Sequence, residues 1–340
     1  MMRDEKNQAK RLTDMMEDKA MKKMICGLLM IALCLSFCGC GFSASASYPH
    51  AEMYTVGNFT YDAATVHAVE INWTSGRVEL SESDGDKLAV TETNQGLTED
   101  QQMRWWLDGS TLRIQYWKSG YTGTLVNKEK RVTVEIPKDI SLNVHVTSGE
   151  IRAENHQLKD MTLQATSGEI QTGAVNADSI TVQATSGELK AGPLRAQGKL
   201  SMQSTSGSIH IDNAMADTVT LESTSGSVTA GPVDAKSLTV GVTSGKIKLE
   251  AVKAETAKIN STSGDVSLGV YQCGKVDISC ASGDVTLSTV HGSGATVNFK
   301  TNSGSLNGKD AKKNAQQIIG DGASIVNVNT TSGDLKIKDK

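Results

Sequence analysis

Proline is scarce in this chain, at four of 340 residues, and aromatic side chains make up only 4%. So little proline excludes a collagen-like repeat or a string of stiff linkers, and so few rings mean that most of the core is aliphatic. Cysteine is scarce as well. Of six, Cys26, Cys34, Cys38 and Cys40 lie near the start, leaving Cys273 and Cys280 downstream. That pair is no disulfide framework; it is expected as two small buried hydrophobes. A net charge of −4 without a basic stripe excludes nucleic acid as a partner, since phosphate binding needs clustered Lys and Arg. The chain also lacks an apolar run long enough to span a bilayer comfortably: Met24 to Phe37, "MICGLLMIALCLSF", is too short.

What that run does resemble, coming after Lys22 and Lys23, is the apolar core of a secretory signal. It ends in "CGCG", where Gly39 before Cys40 resembles the lipobox of bacterial lipoproteins; Phe37 departs from the usual leucine there. The expectation is a signal peptide over 21–39, lipid attached to Cys40, and a flexible tether through residue 47, "GFSASAS". The residues before Met21 fit no secretory pattern. Met21 is therefore the expected start, and 1–20 an upstream extension.

Glycine is plentiful, at 32 residues. It recurs in a phrase, Thr-Ser-Gly or a close variant, at Ser148-Gly149, Ser167-Gly168, Ser186-Gly187, Ser206-Gly207, Ser225-Gly226, Ser244-Gly245, Ser263-Gly264, Ser282-Gly283, Ser303-Gly304 and Ser332-Gly333. The intervals between glycines are 19, 19, 20, 19, 19, 19, 19, 21 and 29. A fixed period of this kind marks a solenoid. Two places after each glycine the residue is always apolar, as Ile151, Ile170 and Leu189, and so it is five places before, as Val144, Leu163 and Val182. Three places before, it is usually small. Alternation therefore runs up to the phrase and away from it but breaks at Ser-Gly, so the chain turns a corner there, with glycine supplying positive φ and the serine hydroxyls stacking about 4.8 Å apart. The predicted fold is all-β: a parallel β-solenoid over 141–340, behind an aromatic-rich β cap over 48–140. Stacked β-hairpins are the alternative, because Ser-Gly also suits a two-residue hairpin turn. In the cap, "MRWWLDGSTLRIQYW" predicts two strands joined at Asp108-Gly109; in the longest interval, Lys309 to Ile319 predicts a short helix over the last rungs.

"KRVTVEIPKDISLNVHVTSGEI", the run of phrases and the closing "GDGASIVNVNTTSGDLKI" together resemble the putative-adhesin family of bacterial β-strand repeat proteins, a domain of unknown function. The likeness covers Val69 to Lys338. It implies a solenoid-like fold at the cell envelope and no known enzymatic activity.

Chemistry on the outer face has few candidates. Glu150, Glu169 and Glu188 form one column that could gather calcium, but nearby lysines such as Lys190 make a neutralised edge the simpler expectation, and no metal or cofactor is predicted. The six histidines share no column, and no nucleophile elbow, zinc-protease motif or phosphate loop occurs, which leaves a polysaccharide-active enzyme as the weakest reading. Trp105, Trp106, Tyr116 and Trp117 are the candidate binding residues, either stacking on sugar rings or forming the core of the cap. Two function classes follow. One is a lipid-anchored binding module that contacts cell-wall polymer, host matrix or an envelope protein; the other is a structural or sensory part of an envelope-stress system.

Overall fold

The computed structural model describes residues 48–93, 96–123, 129–289, 293–310 and 314–338. The signal, Cys40 and the tether lie outside the described residues. Residues from Ser47 onward form one compact unit.

Its centre is a stack of long strands, Leu189–Ser206, Ile209–Ser225, Val228–Ser244, Ile247–Ser263 and Val266–Ser282, each parallel to the next. Along Ile209–Ser225 the buried residues are 209, 211, 214, 216, 219, 221 and 223. Alternation holds within 209–211, 214–216 and 219–223 and slips between them. One rung is thus three short sides joined by corners, with every inward position landing on its counterpart above and below. Ile209 pairs with Val228, then Ile247, then Val266, all 0–1% exposed. Each such side chain contributes roughly 1.5–3 kcal/mol of burial free energy.

The phrase lies at one of those corners. Ser148, Ser167, Ser186 and Ser206 are aligned in parallel register, as are Ser225, Ser244, Ser263 and Ser282, which overturns the stacked-hairpin alternative. The reason for glycine also needs correcting. Gly207, Gly226 and Gly304 are not among the positive-φ residues, so φ cannot explain all ten positions. What the ten share is proximity: a Cβ on any of them would lie closer than 3.0 Å to the carbonyl oxygen of the neighbouring rung's corner glycine. The corner amides are satisfied from the same stacking, for Gly168, Gly187, Gly226, Gly245 and Gly264 each donate to the corner serine carbonyl of the following rung. The hydroxyls that reach these corners belong instead to the column three residues earlier, where Ser223 and Ser261 each donate to a glycine carbonyl at 2.9 Å. Cys280 belongs to that column and Cys273 to another; both are buried and free.

At both ends the spatial order departs from the sequence order. Ala68–Glu82 is seated between Ser141–Ala153 and the pair Thr111–Gln115 and Arg131–Ile136. At the other end Ser324–Ser332 enters between Val266–Ser282 and Ala295–Ser303, so the corner glycines run 264, 283, 333, 304 in space. Antiparallel strands finish each end. Arg104–Asp108 and Lys87–Glu92 cover the first rung, and Asn314–Ile319 covers Ala295–Ser303. The helix expected over Lys309 to Ile319 is therefore wrong. Lys309–Asp310 and Asn314–Ile319 are strands, because the last rung's amides and carbonyls need an extended partner, and this overrides the helix-forming composition.

Candidate functional site

The predicted cap hairpin forms, Arg104–Asp108 against Thr111–Gln115, with Gly109 at φ 59° in the turn. Its four candidate rings do not form one surface. Tyr116 and Trp117 are 1% and 6% exposed, and Tyr116 meets Trp73 and Trp117 edge-to-face, so of the two roles expected for them they take that of cap core rather than ligand contact. Trp105 is half-buried and stacked on Phe59, with centroids 4.0 Å apart. Trp106, also half-buried, lies on the opposite side of its strand, 5.6 Å from the His50 ring and 5.7 Å from Tyr54.

Beneath these rings lies a pair with no signal in the sequence. Lys130 is 0% exposed, and its Nζ lies 2.7 Å from a Glu92 carboxylate oxygen. It also donates to the carbonyls of Gln101 and Tyr116, and it faces the Tyr116 ring at 4.2 Å and the Trp73 ring at 5.1 Å. The other Glu92 oxygen accepts from the Met103 amide at 3.0 Å. Burial lowers the Lys130 ammonium to about 8 against the pull of Glu92, and it pushes the Tyr116 phenol up to about 12 although Ser75 hydrogen-bonds it. These groups are enclosed, and the pair is a buried structural knot rather than an open site.

The outer carboxylates are likewise engaged. Glu150 pairs with Arg77 at 2.9 Å and Arg152 at 3.0 Å, and Lys190 bridges Glu169 and Glu188 at 3.1 and 2.9 Å. Farther along the same column, aspartates bind backbone. Asp265 accepts from the Asp284 amide at 3.2 Å, Asp284 from Asp334 at 3.0 Å, and Asp334 from Ser305 at 2.8 Å. The Asp284 amide, aided by Lys246, holds the Asp265 carboxyl below its ordinary value, as the Ser305 amide does for Asp334. Folded-state depression means stability that is present above the ordinary carboxylate pKa, about 4, and lost as pH falls through the folded value. Melting temperature should therefore drop with acidification below pH about 4, and Asp265→Asn should flatten that drop.

Amides form ladders on another side. Gln164 donates to Gln183 at 3.0 Å, Gln183 to Gln203 at 2.9 Å, and Gln203 to Glu222 at 2.9 Å; Gln316, Asn298 and Asn327 likewise lead to Asp277. Each run ends on a carboxylate, the acceptor best suited to terminate a polarised chain of donors.

A groove of about 990 Å³ runs parallel to the stacking axis. Its floor is the inward alanine column Ala196, Ala216, Ala235 and Ala254, continued by Cys273. Met215, Asp234 and Lys253 form one rim, and Asp217, Lys236 and Glu255 the other. Lys253 meets Asp234 and Lys236 meets Asp217, both at 2.8 Å, so each rim alternates in charge. Sequence reasoning missed this groove, although the alanines were visible at the repeat period. No group of three or more His, Cys, Asp or Glu among the described residues could hold a metal ion.

Two matches to the Toastrack DUF4097 family model, residues 66–198 and 194–338, together cover most of the chain. The chain belongs to that family, a domain of unknown function. Each half of one continuous solenoid matches, and each half carries one of the out-of-order ends. Similar solved structures include a putative adhesin from Bacteroides fragilis (12% identity, 84% of this chain and 97% of that one, TM-score 0.34). Another is a putative adhesin from Parabacteroides distasonis (13%, 84% and 97%, TM-score 0.42). A third is a putative lipid binding protein from Parabacteroides distasonis (15%, 83% and 96%, TM-score 0.36). No curated protein matches the chain.

Proposed function

We propose that this chain is a non-enzymatic binding module of the bacterial cell envelope, held outside the membrane by lipid on Cys40, and that the axial groove is its contact surface. The observation that carries the reading is the groove itself. It is long, open and continuous over successive rungs, with an apolar floor and rims of both charge signs, which suits an extended polymer laid along the axis rather than a small molecule enclosed in a cleft. Cell-wall polymer is the ligand class proposed. The tether fits this arrangement, because Tyr48 is fixed to the cap by two hydrogen bonds with Ser119.

The test is cosedimentation with purified cell-wall polymer. Met215→Arg, placed on an exposed rim position, should weaken retention about tenfold, equivalent to about 1.4 kcal/mol, while Trp106→Ala leaves it unchanged. The opposite result would move the contact to the cap rings, and no retention of the wild-type chain would overturn the proposed ligand. Labelling with a radioactive fatty acid, lost in Cys40→Ser, tests the anchor separately.

A further inference from the structure

The C-terminal end of the solenoid is unfinished. Asn314–Ile319 is hydrogen-bonded on one side to Ala295–Ser303, and among the described residues no strand pairs with its other side. Such an edge is a row of free amides and carbonyls, and proteins usually blunt it with lysine, proline or a covering loop. This strand, "NAQQII", has neither charge nor proline. Its alternation faces Ala315, Gln317 and Ile319 inward and leaves Asn314, Gln316 and Ile318 outward. Ile318 is 64% exposed. Thr296 stands opposite both Ile318 and Ile325, and Ile325 is 48% exposed, so two bare isoleucines flank one threonine in a row across three strands. The opposite end differs: of its two edge strands, Phe59–Asp62 carries a carboxylate set against Lys87, and Thr55–Val56 is only two residues long.

We propose that the Asn314–Ile319 edge pairs antiparallel with the same edge of a second copy about a twofold axis, joining two solenoids end to end. A strand without charge meets its own image without like-charge contacts, and antiparallel pairing satisfies both rows of free groups at once. A twofold contact is also closed: it consumes both edges and stops at two chains, whereas a head-to-tail contact would continue into a fibre. The inward Ala315, Gln317 and Ile319 of each copy then meet across the seam and extend the core. Because Tyr48 is fixed at the far end of each copy, the pair carries its two tethers at opposite extremes. With the anchoring proposed above, the pair links two membranes instead of lying flat on one. That last step rests on the anchoring; the pairing does not.

Sedimentation equilibrium of the full chain in density-matched detergent, with small-angle X-ray scattering on the same samples, tests the pairing. The wild-type chain should form a concentration-dependent dimer whose maximum dimension is nearly twice that of the monomer. Ile318→Lys, at a position exposed enough to leave the fold intact, places like charges near the twofold axis and should weaken the dimer about tenfold or more. A wild-type chain that stays monomeric, a dimer no longer than the monomer, or one unaffected by Ile318→Lys would each overturn the proposal. Cosedimentation of the wild-type chain with wall polymer separates the two readings: retention of a chain that stays monomeric supports the groove alone, and a dimer that is not retained supports the end contact alone.

Discussion

Lys130→Met lowers the stability of the cap by about 3–5 kcal/mol, because it strands the Glu92 carboxylate in a site where the carboxylate is 5% exposed. The loss is large against a total of roughly 5–15 kcal/mol for a typical domain. Glu92→Leu combined with Lys130→Met should recover most of it, since desolvating two charges costs about as much as their attraction returns. The chain offers two separate reporters. Trp73, Trp105, Trp106 and Trp117 are its only tryptophans and all lie in the cap, so their fluorescence follows that end, while circular dichroism follows the whole array. Solenoid rungs contact only their neighbours, so in urea the fluorescence midpoint of Lys130→Met should fall ahead of the dichroism midpoint. If the single and double variants are equally destabilised, the pair is not coupled.

Gly264→Ala is the second large effect. The added methyl group meets the Gly245 carbonyl oxygen closer than 3.0 Å, and φ at this residue is 146°, a conformation alanine rarely adopts. Overpacking of this kind costs about 1–3 kcal/mol, occasionally more, and rigid backbone on both sides leaves little room to relax. Gly241→Ala is the matched control. It lies in the preceding rung, Val228–Ser244, and its new Cβ would meet only the Glu222 side chain, at 3.6 Å. There alanine should be neutral or stabilise by about 0.4–1 kcal/mol by reducing the freedom of the unfolded chain. Thermal melts of the two variants decide the matter: equal losses would mean that rung proximity is not why glycine is used.

These variants divide what could be foreseen from what could not. Ile209, Val228, Ile247 and Val266 were legible as one buried column because inward direction follows from a period of two, and stacking follows from a period near nineteen. The corner was legible too, but its cause was not, since proximity between rungs is a property of two chain segments and φ of only one. Lys130 and Glu92 were invisible for a similar reason. Each resembles a solvated charge beside a strand, and only the seating of Ala68–Glu82 between later strands closes the cap around them. Lys309 to Ile319 failed through composition, because lysine, alanine and glutamine favour helices until an open sheet edge requires a strand. Trp105 and Trp106 adjoin in sequence and so point to opposite sides of one strand, which splits a site that the sequence presents as a pair.

The seating of Ser324–Ser332 between Val266–Ser282 and Ala295–Ser303 also governs the timing of folding. A polypeptide is made from its N-terminus, so Ala295–Ser303 emerges with its proper seat still missing, and the piece that completes it is made only after it. The array cannot finish by adding rungs in order of synthesis. Ser324–Ser332 acts as a keystone, and a chain stopped short of residue 324 would leave two rungs with no partner between them.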